Sequence, residues 1–294
     1  MSMAFISGLE EFVQQDVPLA ERTWFKLGGS AEYFASPGSL DALTTLVTRS
    51  REEELPIRLL GGGSNILIAD TGVSGVVVSL EAEAFKRIEI EGTRISAAGG
   101  ASLTHVISAA VGAGLSGLEL LVGIPGSVGG ALHTNAAGHG GDIGQWTSRA
   151  VVMTRSGEII ERDREDLDFS YRQSSLDELV ILEADFELEE ADSASLTKRM
   201  QQQWIVKKAS QPPAHQATGC VFKNVQGTSA SLLIEQAGMK SAMVGGASTS
   251  DRDANFIVVR QDGTAEDVVQ LIEKIRCGVR DRLGFELDLQ IEIW

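Results

Sequence analysis

The run Gly123-Ile124-Pro125-Gly126-Ser127-Val128-Gly129-Gly130, followed closely by Asn135 and Gly138, decides how this chain is read. From Gly123 to Gly144, glycine and small residues are too dense for a regular element and too apolar for a linker. The stretch reads as a buried backbone path facing a ligand. A planar ring system needs backbone on one side and few intruding side chains, and this run supplies that. Upstream, Gly61-Gly62-Gly63-Ser64-Asn65 follows a strand-like segment. Residues without Cβ at that point let backbone N–H groups turn inward as a nest for a pyrophosphate. The loop matches neither a GxGxxG opening a helix nor a P-loop ending in Lys-Ser/Thr. Taken alone, it reads equally well as a tight structural turn.

Outward from these loops the chain alternates helical and strand periodicities. Ser39 is a candidate cap for a helix with Leu40, Leu43, Leu46 and Val47 on one face, and Leu55-Pro56 closes it. Strand-like Ile57 to Leu60, the glycine loop and apolar Ile66-Leu67-Ile68 come next. Further strands are expected at Val76 to Val78, Arg87 to Ile90 and Arg94 to Ala97, then a helix from Ser102 to Ala113. Ala150 to Thr154 and Val180 to Leu188 read as strands and Ser193 to Lys208 as a helix, which Gln211-Pro212-Pro213 breaks. Beyond lie Ser231 to Ala237, Phe256 to Val259, Ala265 to Leu283 and an alternating strand from Glu286 to Ile293. The expected fold class is α+β, with two α+β subdomains, 1–74 and 75–209, and a smaller C-terminal domain, 210–294.

With 294 residues and 43% hydrophobic content, the chain has enough apolar surface for two or three compact domains. Lys and Arg total 25 against 41 Asp and Glu, a net charge of −16 with no long basic run. Nucleic acid is therefore a poor partner, whereas an anionic small substrate needs only a few convergent cations. Met1 to Glu11 has no basic segment leading into an apolar one, and every long apolar stretch is interrupted, so neither a signal peptide nor a membrane span is expected. Cys220 and Cys277 have no metal-type spacing, nor do His105, His133, His139 and His215. Free thiols in a cytoplasmic protein without a metal are the simpler expectation.

The segments Leu59–Ile68 (LLGGGSNILI) and Gly117–Gly138 (GLELLVGIPGSVGGALHTNAAG), with Thr23–Phe34 (TWFKLGGSAEYF), resemble the flavin-binding half of the UDP-N-acetylenolpyruvoylglucosamine reductases. The resemblance runs from about Thr23 to Ile293. It implies an FAD-binding domain of the vanillyl-alcohol oxidase type formed by the first two subdomains, with 210–294 binding substrate. Gly61, Gly62, Gly63, Ser64 and Asn65 would then hold the pyrophosphate. Gly123, Ile124, Pro125, Gly126, Ser127, Gly129, Gly130, Asn135 and Gly138 would lie along the flavin. The implied reaction moves hydride from NADPH to FAD and then to an enolpyruvyl ether carried on a UDP-sugar, UDP-N-acetylglucosamine enolpyruvate.

Such a reaction builds negative charge beside a carboxylate and calls for a cation, a donor and a proton source. Tyr171-Arg172 matches the family's Tyr-Arg element, with Tyr171 on the substrate and Arg172 as the stabilising guanidinium. The plainer alternative is a surface arginine after a strand. Thr218-Gly219-Cys220-Val221-Phe222-Lys223-Asn224 resembles the block in which a serine delivers a proton to substrate carbon, and here Cys220 stands at the serine position. A thiol, with a typical pKa of about 8.5, is mostly protonated at neutral pH and a stronger acid than an alcohol. Otherwise Cys220 is a small buried hydrophobe. Glu292 matches a glutamate facing the substrate carboxylate, against the alternative of a solvated strand face. Lys208 and Asn224 match positions contacting the diphosphate, although Lys208 also suits the end of its helix.

The interval from Arg172 to Cys220 lacks the substrate-capping tyrosine loop of one branch, which implies the loop-less branch. Val225 stands where a proline commonly follows. Two other readings stay open: another FAD-dependent oxidase or dehydrogenase on this fold, and a non-catalytic flavin or UDP-sugar binder, for which Cys220 in place of serine is the best support. A monomer is expected.

Overall fold

The computed structural model describes residues 5–138, 140–212, 219–225 and 227–294. His139, Pro213, His215 and Thr218 lie outside the described residues. Internal contacts divide the chain into two compact units that interleave in sequence. The first takes the residues up to Val17, Glu32–Gly62 and Ser74–Ile205, and the second Pro18–Ala31, Gly63–Val73 and Val206–Trp294. Two early segments, Pro18–Ala31 and Gly63–Val73, cluster with the C-terminal residues.

In the first unit, strands Val13–Pro18, Ser30–Ala35, Val73–Val78 and Ile57–Leu59 form a sheet in that order, the last two parallel with Arg58 opposite Val77. Helix α1 (Leu40–Glu52) starts at Ser39, whose Oγ accepts the Ala42 N–H at 3.2 Å. It buries Leu43, Leu46 and Val47 in a core with Tyr33, Val76 and Val78. A second, antiparallel sheet orders Ile159–Asp163, Thr147–Met153, Val180–Glu187, Arg94–Ala98 and Ile88–Glu91. Its Ile95, Ala97, Ala150, Val152, Ala184 and Phe186 are buried with residues of α2 (Leu103–Gly112) and α3 (Val128–His133). The alternating partners Arg149, Glu183 and Asp185 pair by charge, as side-chain period two requires. Helix α4 (Ser193–Ser210) buries only Leu196.

The second unit is built on α5 (Ala230–Gln236), α6 (Ala265–Leu283), the antiparallel strands Met243–Val244, Ala247–Thr249 and Ile257–Val259, and a parallel pairing of Ile66–Leu67 with Glu292–Ile293. The α6 N-terminus is held twice. Thr264 and Asp267 form a capping box, and the Asp70 carboxylate accepts the N–H groups of Ala265 (3.0 Å) and Glu266 (3.1 Å). Val268, Leu271, Ile272, Ile275 and Val279 of α6 share a core with Phe25, Leu67 and Val221. Gly284, at φ 75°, ends the helix in the left-handed conformation.

Two segments differ from their expected form. The run Gly123 to Gly144 is not irregular throughout, because Ser127 caps the six-residue α3 by accepting the Gly130 N–H. Glu286 to Ile293 is not one continuous strand: Leu287 and Ile291 are buried as the alternation requires, but ladder pairing is limited to Glu292–Ile293 and one bridge from Leu289 to Phe222.

Candidate active site

In the first unit the two glycine stretches meet backbone to backbone. A Cβ on Gly62 would lie 2.7 Å from the Gly126 Cα, and one on Gly61 would lie 2.7 Å from the Ser127 Oγ. Backbone packing of one loop on the other therefore requires glycine at Gly62, whereas a side chain at Gly61 would have to displace the Ser127 hydroxyl. Gly61 and Gly62 remain exposed, and their N–H groups have no protein acceptor among the described residues. Exposed amide donors without a protein acceptor on adjacent residues suit a pyrophosphate. The second stretch is anchored by Leu103 N–H to Gly126 O (3.0 Å), Val128 N–H to Ala101 O (2.9 Å) and Gly129 N–H to Gly99 O (2.8 Å). Gly123 (φ 75°) and Gly126 (φ 116°) occupy backbone regions that side chains disfavour, while Ile124, Pro125 and Gly138 are half-buried along the same path.

Tyr171 and Arg172 form the two-residue tip of a hairpin, with Ser170 opposite Gln173 and Phe169 opposite Ser174. Arg172 has φ 56°, left-handed and strained for an arginine. Its Nε is buried without a hydrogen-bond partner. Its guanidinium carbon lies 5.9 Å from the centre of the Tyr171 ring, which is 54% exposed. Strain and an orphaned charged donor at one residue mark a site shaped for something other than stability. The hairpin is fastened to the glycine run through Asn135. This buried residue donates from Nδ2 to Ser170 O (2.8 Å) and accepts the Gly144 N–H at Oδ1 (3.1 Å). Both ends of its amide are engaged within the protein, so Asn135 fixes the hairpin's position relative to the run.

Gly63, Ser64 and Asn65 fall in the second unit. Gly63 (φ 62°) packs against the backbone of Arg22 and Thr23, and its carbonyl accepts the Trp24 N–H at 2.9 Å. Asn65 ties this loop to the C-terminal strand: its Nδ2 donates to Gln290 O (2.9 Å), and its carbonyl accepts the Glu292 N–H (2.9 Å). The Cys220 block runs alongside, with Gln290 N–H on Val221 O (2.8 Å) and Lys223 N–H on Asp288 O (2.8 Å). Cys220 lies in irregular backbone next to Val221, and Val221 bonds to Gln290, two residues before Glu292, so both residues belong to one unit. Cys220 is half-buried and forms no disulfide. Glu292 is exposed, and its Oε2 accepts the Trp294 indole N–H at 3.3 Å. Asn224 accepts the Ala230 N–H at 3.0 Å, starting α5. Lys208 is exposed on the last turn of α4.

Asn255 is a residue that the sequence reading missed. It is 3% exposed, and it binds Phe222 in both directions, Oδ1 to the N–H and Nδ2 to the carbonyl, each at 2.9 Å. Its own carbonyl accepts the Val221 N–H at 2.9 Å. It therefore sets the path of the backbone on which Cys220 sits. No local pattern marks it, because its partner lies 33 residues away.

Residues 31–163 match a family model for an FAD binding domain, and residues 211–294 match that for the C-terminal domain of UDP-N-acetylenolpyruvoylglucosamine reductase. A reductase of that name from Rhodopirellula baltica is 35% identical over 290 residues, 99% of this chain and 95% of that protein. The chain belongs to the UDP-N-acetylenolpyruvoylglucosamine reductase family. The family member from Heliobacterium modesticaldum is 38% identical over 96% of this chain and 90% of its own. The crystal structure of the Thermus caldophilus reductase superposes with a TM-score of 0.83 at 32% identity, covering 96% of this chain and all of that one. A Bermuda grass pollen isoallergen, at 14% identity and a TM-score of 0.51 over 97% of this chain and 59% of its own, shares the fold alone. As a member of this family the chain is an FAD-containing oxidoreductase, with the α+β architecture of the FAD-binding domain and the reductase C-terminal domain. Among the described residues no helix is long and apolar enough to cross a membrane, and no group of three or more His, Cys, Asp or Glu is placed to hold a metal ion.

Proposed function

We propose that this chain reduces UDP-N-acetylglucosamine enolpyruvate to UDP-N-acetylmuramate, with NADPH as the hydride source, as a monomer of the loop-less branch acting in cytoplasmic peptidoglycan precursor synthesis. FAD, when bound, would supply the hydride chemistry that links NADPH to the terminal vinyl carbon of the substrate. Addition there leaves an electron pair on the carbon beside the carboxylate, delocalised as an enolate. Arg172 binds that carboxylate and its growing charge through a planar, permanently charged fork. The observation that carries this reading is the Arg172 guanidinium itself, strained at φ 56° with a buried, unpartnered Nε. A ligand carboxylate supplies the missing acceptor.

Cys220 gives its thiol proton to the carbon that carries the electron pair, forming the new C–H bond, and the thiolate recovers a proton from solvent. Glu292, two residues beyond the Gln290 that bonds to Val221, donates a hydrogen bond to the enolate oxygen, and substrate binding covers its now exposed carboxyl and favours the protonated form. Tyr171 covers the substrate, and Lys208 and Asn224 take the diphosphate side. Gly61, Gly62, Gly63 and Ser64 hold the pyrophosphate of FAD, while the Gly123–Gly130 run and Gly138 line the flavin.

The test is anaerobic single-turnover reoxidation of NADPH-reduced protein by UDP-N-acetylglucosamine enolpyruvate, in wild type, Cys220→Ser and Cys220→Ala, with the product weighed by mass spectrometry. Activity in wild type and the serine variant with loss in the alanine variant supports the proton role of Cys220. Equal rates in all three remove it. Reduction by NADPH with no reoxidation in any variant retains the flavoprotein and discards the substrate.

A further inference from the structure

Glu119 is the buried carboxylate that the proposed chemistry leaves unused. It is 1% exposed and sits in the 3-10 turn Leu118–Leu121, which leads directly into Gly123. Burying a carboxylate is costly unless charge and hydrogen bonds compensate. Here the Oε1 accepts the Ser116 hydroxyl (3.0 Å) and the Arg199 Nη1 (2.8 Å), and the Oε2 accepts the Gly117 N–H. Gly117, at φ 138°, has the Trp146 indole where a Cβ would stand, so the loop ahead of the turn cannot shift toward that ring. After the turn, the Val122 N–H bonds to Glu119 O (3.2 Å) and the Ile124 N–H to Leu121 O (3.0 Å). The carboxylate thus holds the turn that sets where the Gly123 to Gly130 path begins.

Arg199 reaches Glu119 from α4, a helix with one buried side chain, Leu196. Besides Leu196, α4 is fastened by the Ser193 hydroxyl on Val111 O (2.7 Å) and by this ion pair. The Arg199 side chain is itself 53% exposed. An arginine half in water contributes little as a surface pair, but here it supplies the only full charge on a buried carboxylate among its described contacts.

We infer that Glu119 and Arg199 are positioning residues for flavin binding: the pair fixes the 3-10 turn and so the alignment of the Gly123–Gly130 backbone against the ring system. This rests on the reading of that run as flavin-facing. Arg199→Met removes the charge and keeps the aliphatic stem, and Arg199→Lys restores a charge within reach. Equilibrium titration of apoprotein with FAD is expected to show about tenfold weaker binding for Arg199→Met and recovery to within about threefold of wild type for Arg199→Lys. The flavin absorbance of the methionine variant is expected to shift at temperatures well below the melting midpoint of its apoprotein, which the uncompensated Glu119 carboxylate lowers. Glu119→Gln, which keeps the volume but turns an N–H toward the Gly117 donor or the Arg199 fork, is expected to weaken FAD binding at least as much. Wild-type affinity and an unaltered flavin spectrum in Arg199→Met overturn the inference. Gly62→Ala separates the two ideas. If it too binds FAD like wild type, the flavin-facing reading fails, and if it alone loses affinity, only the positioning role does.

Discussion

Replacing Asn255 with alanine deletes both side-chain bonds to Phe222 and leaves that residue's N–H and carbonyl, in a residue 1% exposed, without acceptor and donor. Each buried backbone group so orphaned costs about 1–3 kcal/mol. The Val221 N–H keeps its bond to the Asn255 backbone carbonyl, so the strap loosens without detaching. The expected loss is about 2–5 kcal/mol, a large share of the roughly 5–15 kcal/mol that holds a domain folded. It corresponds to a fall in thermal midpoint on the order of 5–15 °C. Because Cys220 stands two residues from Phe222, the rate of flavin reoxidation by substrate should fall by more than tenfold at a temperature where the variant is still folded. Asn255→Asp keeps an acceptor for the Phe222 N–H but sets a carboxylate oxygen against its carbonyl, and is expected to be no better than alanine. Circular-dichroism melts and anaerobic stopped-flow mixing read the two effects. A midpoint within about 2 °C of wild type, with an unchanged reoxidation rate, would refute both the bond energies and the role of the strap.

Gly62→Ala sets a methyl 2.7 Å from the Gly126 Cα, so the two loops must part; FAD affinity by fluorescence titration should fall at least about tenfold. Asp70→Ala uncovers the Ala265 and Glu266 N–H groups at the start of α6 and should cost about 0.5–2 kcal/mol in denaturant unfolding. The N–H groups of Gly246 and Thr264 hold the Asp267 carboxyl below its ordinary pKa. A depressed folded-state pKa stabilises the fold above the unfolded value, near 4, and that stability disappears as pH falls through the lower folded value. Asp267→Asn should therefore flatten the acid limb of the melting profile below about pH 4, and a limb as steep as wild type would count against this cap.

Helices were legible wherever apolar period and caps agreed. Ala265–Leu283 has Thr264 and Asp267 at one end and Gly284 at the other, and it forms over the expected residues. The helix within the glycine run escaped notice because its signal is one serine before two glycines, composition that argues for a loop. In Glu286 to Ile293 the alternation forecast the burial of Leu287 and Ile291 but not the exposure of Ile293, nor whether a partner strand ran alongside. Of the site, the glycine loops and the Tyr171-Arg172 tip stood out in the sequence as residue types suited to a ligand. What joins them did not. Asn135, read as a ligand contact, also forms a bracket between the run and the hairpin, Glu119 sat unremarked inside a quoted motif, and Asn65 meets Gln290 across 225 residues. Contacts of that separation leave no periodicity.

The interleaving of the second unit has a consequence for how it is made. Phe25 and Leu67 belong to the same core as Leu271 and Ile275, and Ile66–Leu67 pairs with Glu292–Ile293. At about 5–20 residues per second, the ribosome needs roughly ten to forty seconds to deliver the second strand after the first has emerged. Through that interval the early segments of the unit have no core to enter, while most of the first unit can already fold. The arrival of Glu292–Ile293 closes the pairing, and the growing chain must keep Phe25 and Leu67 from other partners until then.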